Sequence, residues 1–200
     1  FLLLIRTAYQ SNEAANARRA ETLHVVTALR HETELLGRLV RSYATTGNPR
    51  YLLYYYDILA IREGSKPLPE SDNPDLYWDD VIAGRRGHVL PEGKPGVSLI
   101  DRMRALDFSA TELAAMNQVV AATERLRKTE QEAFAAAQGL FDREKQAYVS
   151  EGRPDLAYAS ELVHAARYEA QTADLAQAVG ALGRATDERT AREQQQAAAN

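Results

Sequence analysis

The 200-residue sequence contains no cysteine, which excludes thiol catalysis, disulfide bonds and thiolate metal sites. It also lacks a Gly-x-Ser-x-Gly nucleophile motif, a P-loop and a dinucleotide-binding glycine motif. A net charge of −4 and the absence of a basic stripe with interleaved aromatic residues argue against nucleic acid as a partner. We therefore predict that this domain is not an enzyme and that it uses no cofactor.

Glycine and proline are also scarce where helices are expected. Residues 1–36 contain neither, and Leu29, Thr33, Leu36, Val40 and Tyr43 follow the 4-3-4-3 spacing of a helix packed in a bundle. Gly47, Asn48 and Pro49 then provide a helix stop, an N-cap and a first helical residue. A second helix is predicted from about Pro49 to Arg62, ending at Gly64.

Residues 64–96 hold five of the eleven glycines and five of the seven prolines, which predicts a loop-rich insertion with short helices. Ser109 and Glu112 form a capping box that opens a long helix up to Gly139. We predict a shorter helix around 140–149, a last helix from Pro154 to the end, and no strand. The fold class is all-α: one domain over residues 1–200, an elongated four-helix-type bundle with long N- and C-terminal helices and an insertion at about 64–108.

The two ends predict a chain that continues beyond both of them. Phe1–Ile5 is apolar but far shorter than the ~20 residues that span a bilayer. We expect it to be the end of a transmembrane helix; an ordinary buried helix start is the alternative. The last residues, "EQQQAAAN", follow a helical pattern without a Gly or Pro stop.

Several polar residues are candidates for a metal, cofactor or catalytic site. Glu161 and His164 have the Glu-x-x-His spacing of di-iron bundles, but such sites need a second motif, and a hydrogen-bonded histidine is favoured over a metal site. His24 and His31 lie on one helix face, as a pH-sensing or cofactor pair or as two surface histidines. The adjacent Asp79 and Asp80 point apart on a helix, which disfavours a catalytic pair.

Aromatic residues give the most concentrated signal, because six of the ten tyrosines lie between residues 43 and 77. Three adjacent tyrosines, Tyr54, Tyr55 and Tyr56, cannot all face one core, since helical neighbours point about 100° apart. They fit a ligand pocket, a protein interface, or a wedge between the insertion and the bundle. Glu130 falls on the apolar face of the long helix and is either buried with a partner or rotated into solvent.

The stretch "LVRSYATTGNPRYLLYYYDILAIREGSKPLPE", followed by "YWDDV", resembles the extracytoplasmic helical sensor region of bacterial transmembrane receptors. These include methyl-accepting chemotaxis proteins, hybrid sensor histidine kinases and diguanylate cyclases. The matching positions are Tyr43, Gly47, Pro49, Tyr51, Tyr56, Asp57, Arg62, Gly64, Lys66, Pro67, Tyr77, Trp78 and Asp79. Later in the chain His164 and Tyr168 also match, but Glu169 stands where the pattern has histidine.

The resemblance implies a periplasmic all-α domain anchored by flanking transmembrane helices, but no particular ligand. Together with the residues, it leads us to expect a homodimeric sensor of a small molecule that transmits binding as a helix shift. The expected ligand-binding residues are Tyr55, Tyr56, Trp78, Asp79, Glu130, His164 and Tyr168, with Arg41 and Arg62 as partners for an anionic group. The alternatives are a module that docks a periplasmic binding protein and, more weakly, a metal-binding bundle.

Overall fold

The computed structural model describes residues 2–199, and its helices confirm an all-α bundle. The elements are listed in chain order: α1 (Leu2–Thr46), α2 (Pro49–Glu63), a 3₁₀ turn (Pro74–Leu76), α3 (Tyr77–Ile82), α4 (Leu99–Ala105), α5 (Ala110–Gln138), β1 (Phe141–Asp142), β2 (Ala147–Tyr148), α6 (Leu156–His164) and α7 (Ala166–Ala199). The first and last helices are the longest, as predicted.

Local sequence signals set several helix ends. The Asn48 side chain accepts a hydrogen bond from the Arg50 backbone N–H, and Pro49 follows it as the first residue of α2. Gly64 ends α2 with a positive φ of 87°, a conformation that glycine adopts without strain. Ser109 and Glu112 form the reciprocal capping box predicted at the start of α5.

The core lies where α1, α5, α6 and α7 pack along one another, with α2 against α1. Leu39, Val40, Met116, Val119 and Leu182 are among its most buried side chains. The 45 residues of α1 extend about 68 Å at 1.5 Å per residue. Residues 2–18 of α1 are exposed on every side, so the bundle begins beyond them.

The helix predicted around residues 140–149 is wrong, and so is the prediction that no strand occurs. This segment forms a two-stranded antiparallel hairpin in which Phe141 pairs with Tyr148. The Asp142 side chain accepts hydrogen bonds from the backbone N–H groups of Glu144 and Lys145, which closes a turn instead of a helix. Gln146 takes a positive φ of 50° to complete it.

The single last helix predicted from Pro154 is also wrong. Asp155 caps α6 by accepting a hydrogen bond from the Tyr158 N–H, and α6 ends at His164. Ala165 then takes an extended conformation, with φ −68° and ψ 151°, before α7 begins. Neither glycine nor proline marks this break, so the helical pattern of the sequence runs through it.

Leu2–Ile5 are helical and exposed, whereas Phe1, the first residue of the expected transmembrane end, lies outside the described residues. Over residues 2–199, no helix combines the length and apolar content needed to cross a membrane.

Candidate functional site

The segment between α2 and α5 carries an open pocket of about 470 Å³. This volume lies within the range of roughly 300–1,000 Å³ found for small-molecule sites. The pocket is lined by Leu53, Asp57, Ser65, Lys66, Pro67, His88, Leu90, Pro91, Glu92, Gly93 and Lys94. The walls come from one turn of α2 and from the two loops that flank α3.

The floor of the pocket is a buried network centred on Asp57. One Asp57 oxygen accepts a hydrogen bond from Lys66 Nζ at 2.5 Å, and the other lies 2.6 Å from His88 Nε2. The side chains of Asp57 and His88 are only 6% and 8% exposed. A buried carboxylate requires such partners, because removing its charge from water without them is costly.

The second nitrogen of His88 extends the network into the aromatic cluster. His88 Nδ1 lies 2.6 Å from the Tyr77 hydroxyl, which also lies 3.4 Å from the Val89 carbonyl oxygen. With neutral His88 the hydroxyl donates to Nδ1; with protonated His88 it accepts from Nδ1 and donates to Val89. The network therefore satisfies both charge states of His88 without moving a heavy atom.

A close crossing of two loops holds the pocket in shape. A Cβ atom on Gly96 would lie 2.3 Å from the Lys66 carbonyl oxygen and 2.5 Å from that of Gly64. A Cβ atom on Gly64 would meet the Ser98 backbone nitrogen at 2.7 Å. A side chain at either position would collide with the backbone of the other loop, so only glycine allows this approach.

Ion pairs tie this region to the long helix α1. Arg62 of α2 donates from Nε to Glu32 of α1 at 2.9 Å, and its Nη2 lies 2.8 Å from the same oxygen. His31 Nε2 lies 2.8 Å from Asp79 of α3, and His24 lies 3.5 Å from Asp75. The two histidines on one face of α1 thus meet two carboxylates of the insertion.

The three adjacent tyrosines have three different environments. Tyr54 packs edge-on against His88 and lies beside Trp78, on the insertion side. Tyr55 is buried against Phe134 in the bundle. Tyr56 is 44% exposed. As predicted from the sequence, the three adjacent side chains point in different directions, about 100° apart, and α2 therefore lies between the insertion and the bundle.

Glu130 is buried rather than rotated into solvent, which decides between the two alternatives. It accepts hydrogen bonds from the hydroxyls of Tyr55 of α2 and Tyr168 of α7, at 2.8 Å and 2.7 Å. Burial raises the pKa of Glu130, and the two hydroxyl donors and the nearby Arg127 oppose this only in part. Burial and the nearby Glu130 carboxylate also raise the pKa of Tyr55 and of Tyr168. The positive charge of Arg41 opposes this rise at Tyr168 but does not cancel it.

The nine residues expected to bind ligand therefore fall into separate places. Tyr55, Glu130 and Tyr168 meet in the bundle, with Tyr56 at its edge, whereas Trp78 packs on Tyr77 and His88. Asp79 and Arg62 pair with α1, and Arg41 lies on α1, where its charge acts on Tyr168. His164 Nδ1 lies 2.8 Å from the Ser160 carbonyl oxygen. Among the described residues, none of the nine lines the 470 Å³ pocket, and their ligand-binding role stays a prediction.

Lys66, His88 and Asp57 are not among the nine residues predicted to bind ligand, although Lys66 and Asp57 belong to the positions that match the sensor pattern. The signal available for Asp57 was a carboxylate inside an apolar helical run. Lys66 and His88 lie in loops, where no periodicity connects them to α2. The crossing of Gly64 and Gly96 is what brings these residues together.

The Glu-x-x-His pair does not converge on a metal position. Glu161 accepts a hydrogen bond from Arg143 at 3.0 Å, while His164 turns back to its own helix. Within residues 2–199, no group of three or more potential metal ligands comes together. A larger surface groove of about 810 Å³ between α5 and α7 is lined mostly by exposed residues, such as Gln118, Arg125 and Arg184.

Comparison with known proteins gives no match to a family model, to a curated protein or to a solved structure.

Proposed function

We propose that this chain is the periplasmic ligand-sensing domain of a transmembrane signalling receptor, and that it senses through the pocket at the insertion. The observation that carries the proposal is the buried Asp57–His88 pair at the pocket floor. A buried Asp–His pair at the floor of a pocket is typical of a binding site, because folding alone favours an apolar filling there.

Transmission follows from how the pocket is attached. Asp57 of the floor belongs to α2, and His88 and the loops belong to the insertion. Both α2 and the insertion are tied to α1, by the Arg62–Glu32 and His31–Asp79 pairs. A ligand that fits one arrangement of these elements better than another shifts the population toward it. The shift reaches α1 and then α7, which packs along α1. The receptor is proposed to be a homodimer anchored by flanking transmembrane helices, and no catalysis is assigned to this domain.

A thermal-shift screen of small metabolites tests binding. A ligand at ~100 times its Kd stabilises the folded state by ~2.7 kcal/mol. Leu53→Glu, which places a charge on an exposed wall residue of the pocket, should abolish the shift. Val120→Glu, at an exposed apolar position of α5, is the matched control. Ligands that stabilise both variants equally would place binding elsewhere.

Helix movement is tested separately by spin labelling, which the cysteine-free chain makes direct. Glu13→Cys on α1 and Gln194→Cys on α7 lie at exposed positions. Saturating ligand should change the distance distribution between the two labels, and Leu53→Glu should remove that change. An unchanged distribution with the pocket occupied would refute transmission through these helices.

A second candidate function is a module that docks a periplasmic binding protein. Exposed apolar side chains on the insertion, including Leu68, Val89 and Val97, favour it. The aromatic rings do not, because Tyr77 is buried and Trp78 is partly covered. Co-purification of a periplasmic protein without any metabolite-induced stabilisation would support docking over direct sensing.

The metal-binding bundle is the weakest candidate, since its proposed ligands Glu161 and His164 have other partners. Elemental analysis that finds stoichiometric iron, zinc or manganese in the purified protein would revive it.

A further inference from the structure

The pocket is lined by lysine and not by arginine, although arginine is far commoner in this chain. The chain contains four lysines and twenty arginines, and two of the four lysines, Lys66 and Lys94, line this pocket. No arginine occurs among the pocket-lining residues that the structure describes. A lysine ammonium is a compact charge with three N–H donors, whereas arginine presents a wide planar fork. Two lysines in one lining therefore concentrate N–H donors at this pocket.

Most of those donors remain available. Lys66 Nζ contacts Asp57, and Lys94 Nζ contacts Glu70 at 2.9 Å, each through one carboxylate oxygen. Since each ammonium carries three N–H groups, both retain donors for a ligand. Ser65 adds a hydroxyl to the same lining. The acceptor capacity of Asp57, by contrast, is already directed to Lys66 and His88.

The remaining wall is made of four apolar side chains, Gly93 and the exposed Glu92. Leu53, Pro67, Leu90 and Pro91 line the pocket beside the polar floor. Contact with these side chains removes apolar ligand surface from water, which is favourable, whereas a fully hydrated anion gains nothing from it. The pocket thus offers donors for a negatively charged group and an apolar surface for the body that carries it.

From these observations we infer that the pocket takes a small organic carboxylate with a short apolar body. Its carboxylate oxygens accept hydrogen bonds from Lys66 and Lys94, and its apolar body lies against Leu53 and the two prolines. The inference rests on the proposed function for the location of the site, and it adds the chemical class of the ligand.

The test compares probes of similar size and different charge. Butyrate, isovalerate and benzoate are the carboxylates; n-butylamine and 1-butanol keep the apolar body, and inorganic phosphate keeps the charge. At saturation a binding carboxylate should raise the melting temperature of the 200-residue chain by roughly 5–10 °C. Its affinity should fall as the ionic strength rises, because salt screens the contact between charges.

Lysine variants locate the contact. Lys94→Met should weaken carboxylate binding by about tenfold or more, since it removes a charged donor. Its exposed pair with Glu70 contributes little to folding, so the variant should fold normally. Lys145→Met, in the hairpin loop outside the pocket, is the control and should bind as the unaltered chain does. Lys66→Met should weaken binding further, and its circular dichroism spectrum reports whether it folds.

Each outcome decides between the two proposals. If n-butylamine or 1-butanol binds in preference to butyrate, and Leu53→Glu abolishes that binding, the pocket remains the sensing site but the carboxylate inference is overturned. If phosphate competes with equal affinity, the claim that the ligand needs an apolar body is overturned. If Lys94→Met and Lys145→Met bind the carboxylate equally well, the claim that Lys94 contacts the ligand is overturned. A carboxylate that binds without changing the label distances upholds the inference and refutes sensing. No binding by any carboxylate overturns the inference.

Discussion

The hydroxyl of Tyr55 donates a hydrogen bond to the carboxylate of Glu130 at 2.8 Å, across 75 residues of chain. Tyr168 donates to the other oxygen, so a single buried carboxylate connects α2, α5 and α7. The contact fixes the rotation of α2, and with it the side of the helix on which Tyr54 and Asp57 face the insertion. A core hydrogen bond thus determines the position of the pocket floor.

Glu130→Gln should preserve the fold, whereas Glu130→Leu should not preserve its stability. The amide of glutamine accepts from one tyrosine and donates to the other, so the free energy of unfolding at pH 7 should change by less than about 1 kcal/mol. Leucine leaves both buried hydroxyls without a partner, at a cost of about 1–3 kcal/mol for each. Urea titrations of the three proteins measure the difference, and equal stability of the two variants would contradict it.

The same position should make stability depend on pH. Burial raises the folded-state pKa of Glu130, so its contribution is fully present below the unfolded value of about 4.3 and is lost as pH rises through the folded value. The stability of Glu130→Gln relative to the original chain should therefore increase as pH rises from 4. Denaturation curves across pH 4–8 measure this trend, and a flat difference would argue that Glu130 titrates normally.

Glu112 should show the opposite pH dependence. Burial raises the pKa of Glu112, but hydrogen bonds from Arg189, Thr186 and Ser109 outweigh it, and the pKa is lowered. Its stabilisation is present above the unfolded value of about 4.3 and is lost as pH falls through the folded value. Glu112→Gln should cost about 1–3 kcal/mol at pH 7 and progressively less below pH 5. A cost that stays constant down to pH 2 would contradict the linkage.

Gly96→Ala should destabilise the insertion, because its methyl group collides with the carbonyl oxygens of Lys66 and Gly64. Overpacking of this kind costs about 1–3 kcal/mol. Gly87→Ala is the matched control: its methyl group meets nothing within 4 Å, and it should be neutral or slightly stabilising. Thermal melts compare the two, and hydrogen exchange of residues 64–98 shows whether the loss is local.

The contact between Arg62 and Glu32 should be energetically coupled. Their side chains are 12% and 27% exposed, so solvent screens the pair less than a surface pair. A double-mutant cycle with Arg62→Met and Glu32→Gln should give about 1–2 kcal/mol of coupling. The exposed Lys94–Glu70 pair, at 65% and 73%, is the control and should give less than about 1 kcal/mol. Similar coupling in both pairs would argue against a special link to α1.

Much of the fold was predictable because its signals are local. An N-cap side chain accepts a hydrogen bond from a backbone N–H two or three residues further along the chain, as Asn48 and Ser109 do. Both predicted N-caps are confirmed. The hairpin at Phe141–Tyr148 was missed, because Asp142 captures nearby N–H groups that a helix would have used. The break at Ala165 was missed because it has no glycine, proline or capping signal.

The candidate site was predictable only in part. Periodicity placed Glu130 and Tyr55 on helices and required a partner for any buried carboxylate, but it could not name Tyr168 as that partner. Lys66, His88 and Lys94 belong to loops, where the backbone follows no repeat that links one residue to another. Their meeting depends on distances between segments rather than on neighbours in the chain.

The sequence by itself determined most of the helices, several of their caps and the three different directions of Tyr54, Tyr55 and Tyr56, because each depends on the geometry of one turn. The tertiary structure alone decided that Asp57 and His88 are in contact at the pocket floor and that two of the four lysines line the same pocket. It also decided that α1 forms ion pairs with the insertion. Those relationships arise from packing and charge pairing between segments distant in the chain, and no local pattern specifies such pairings.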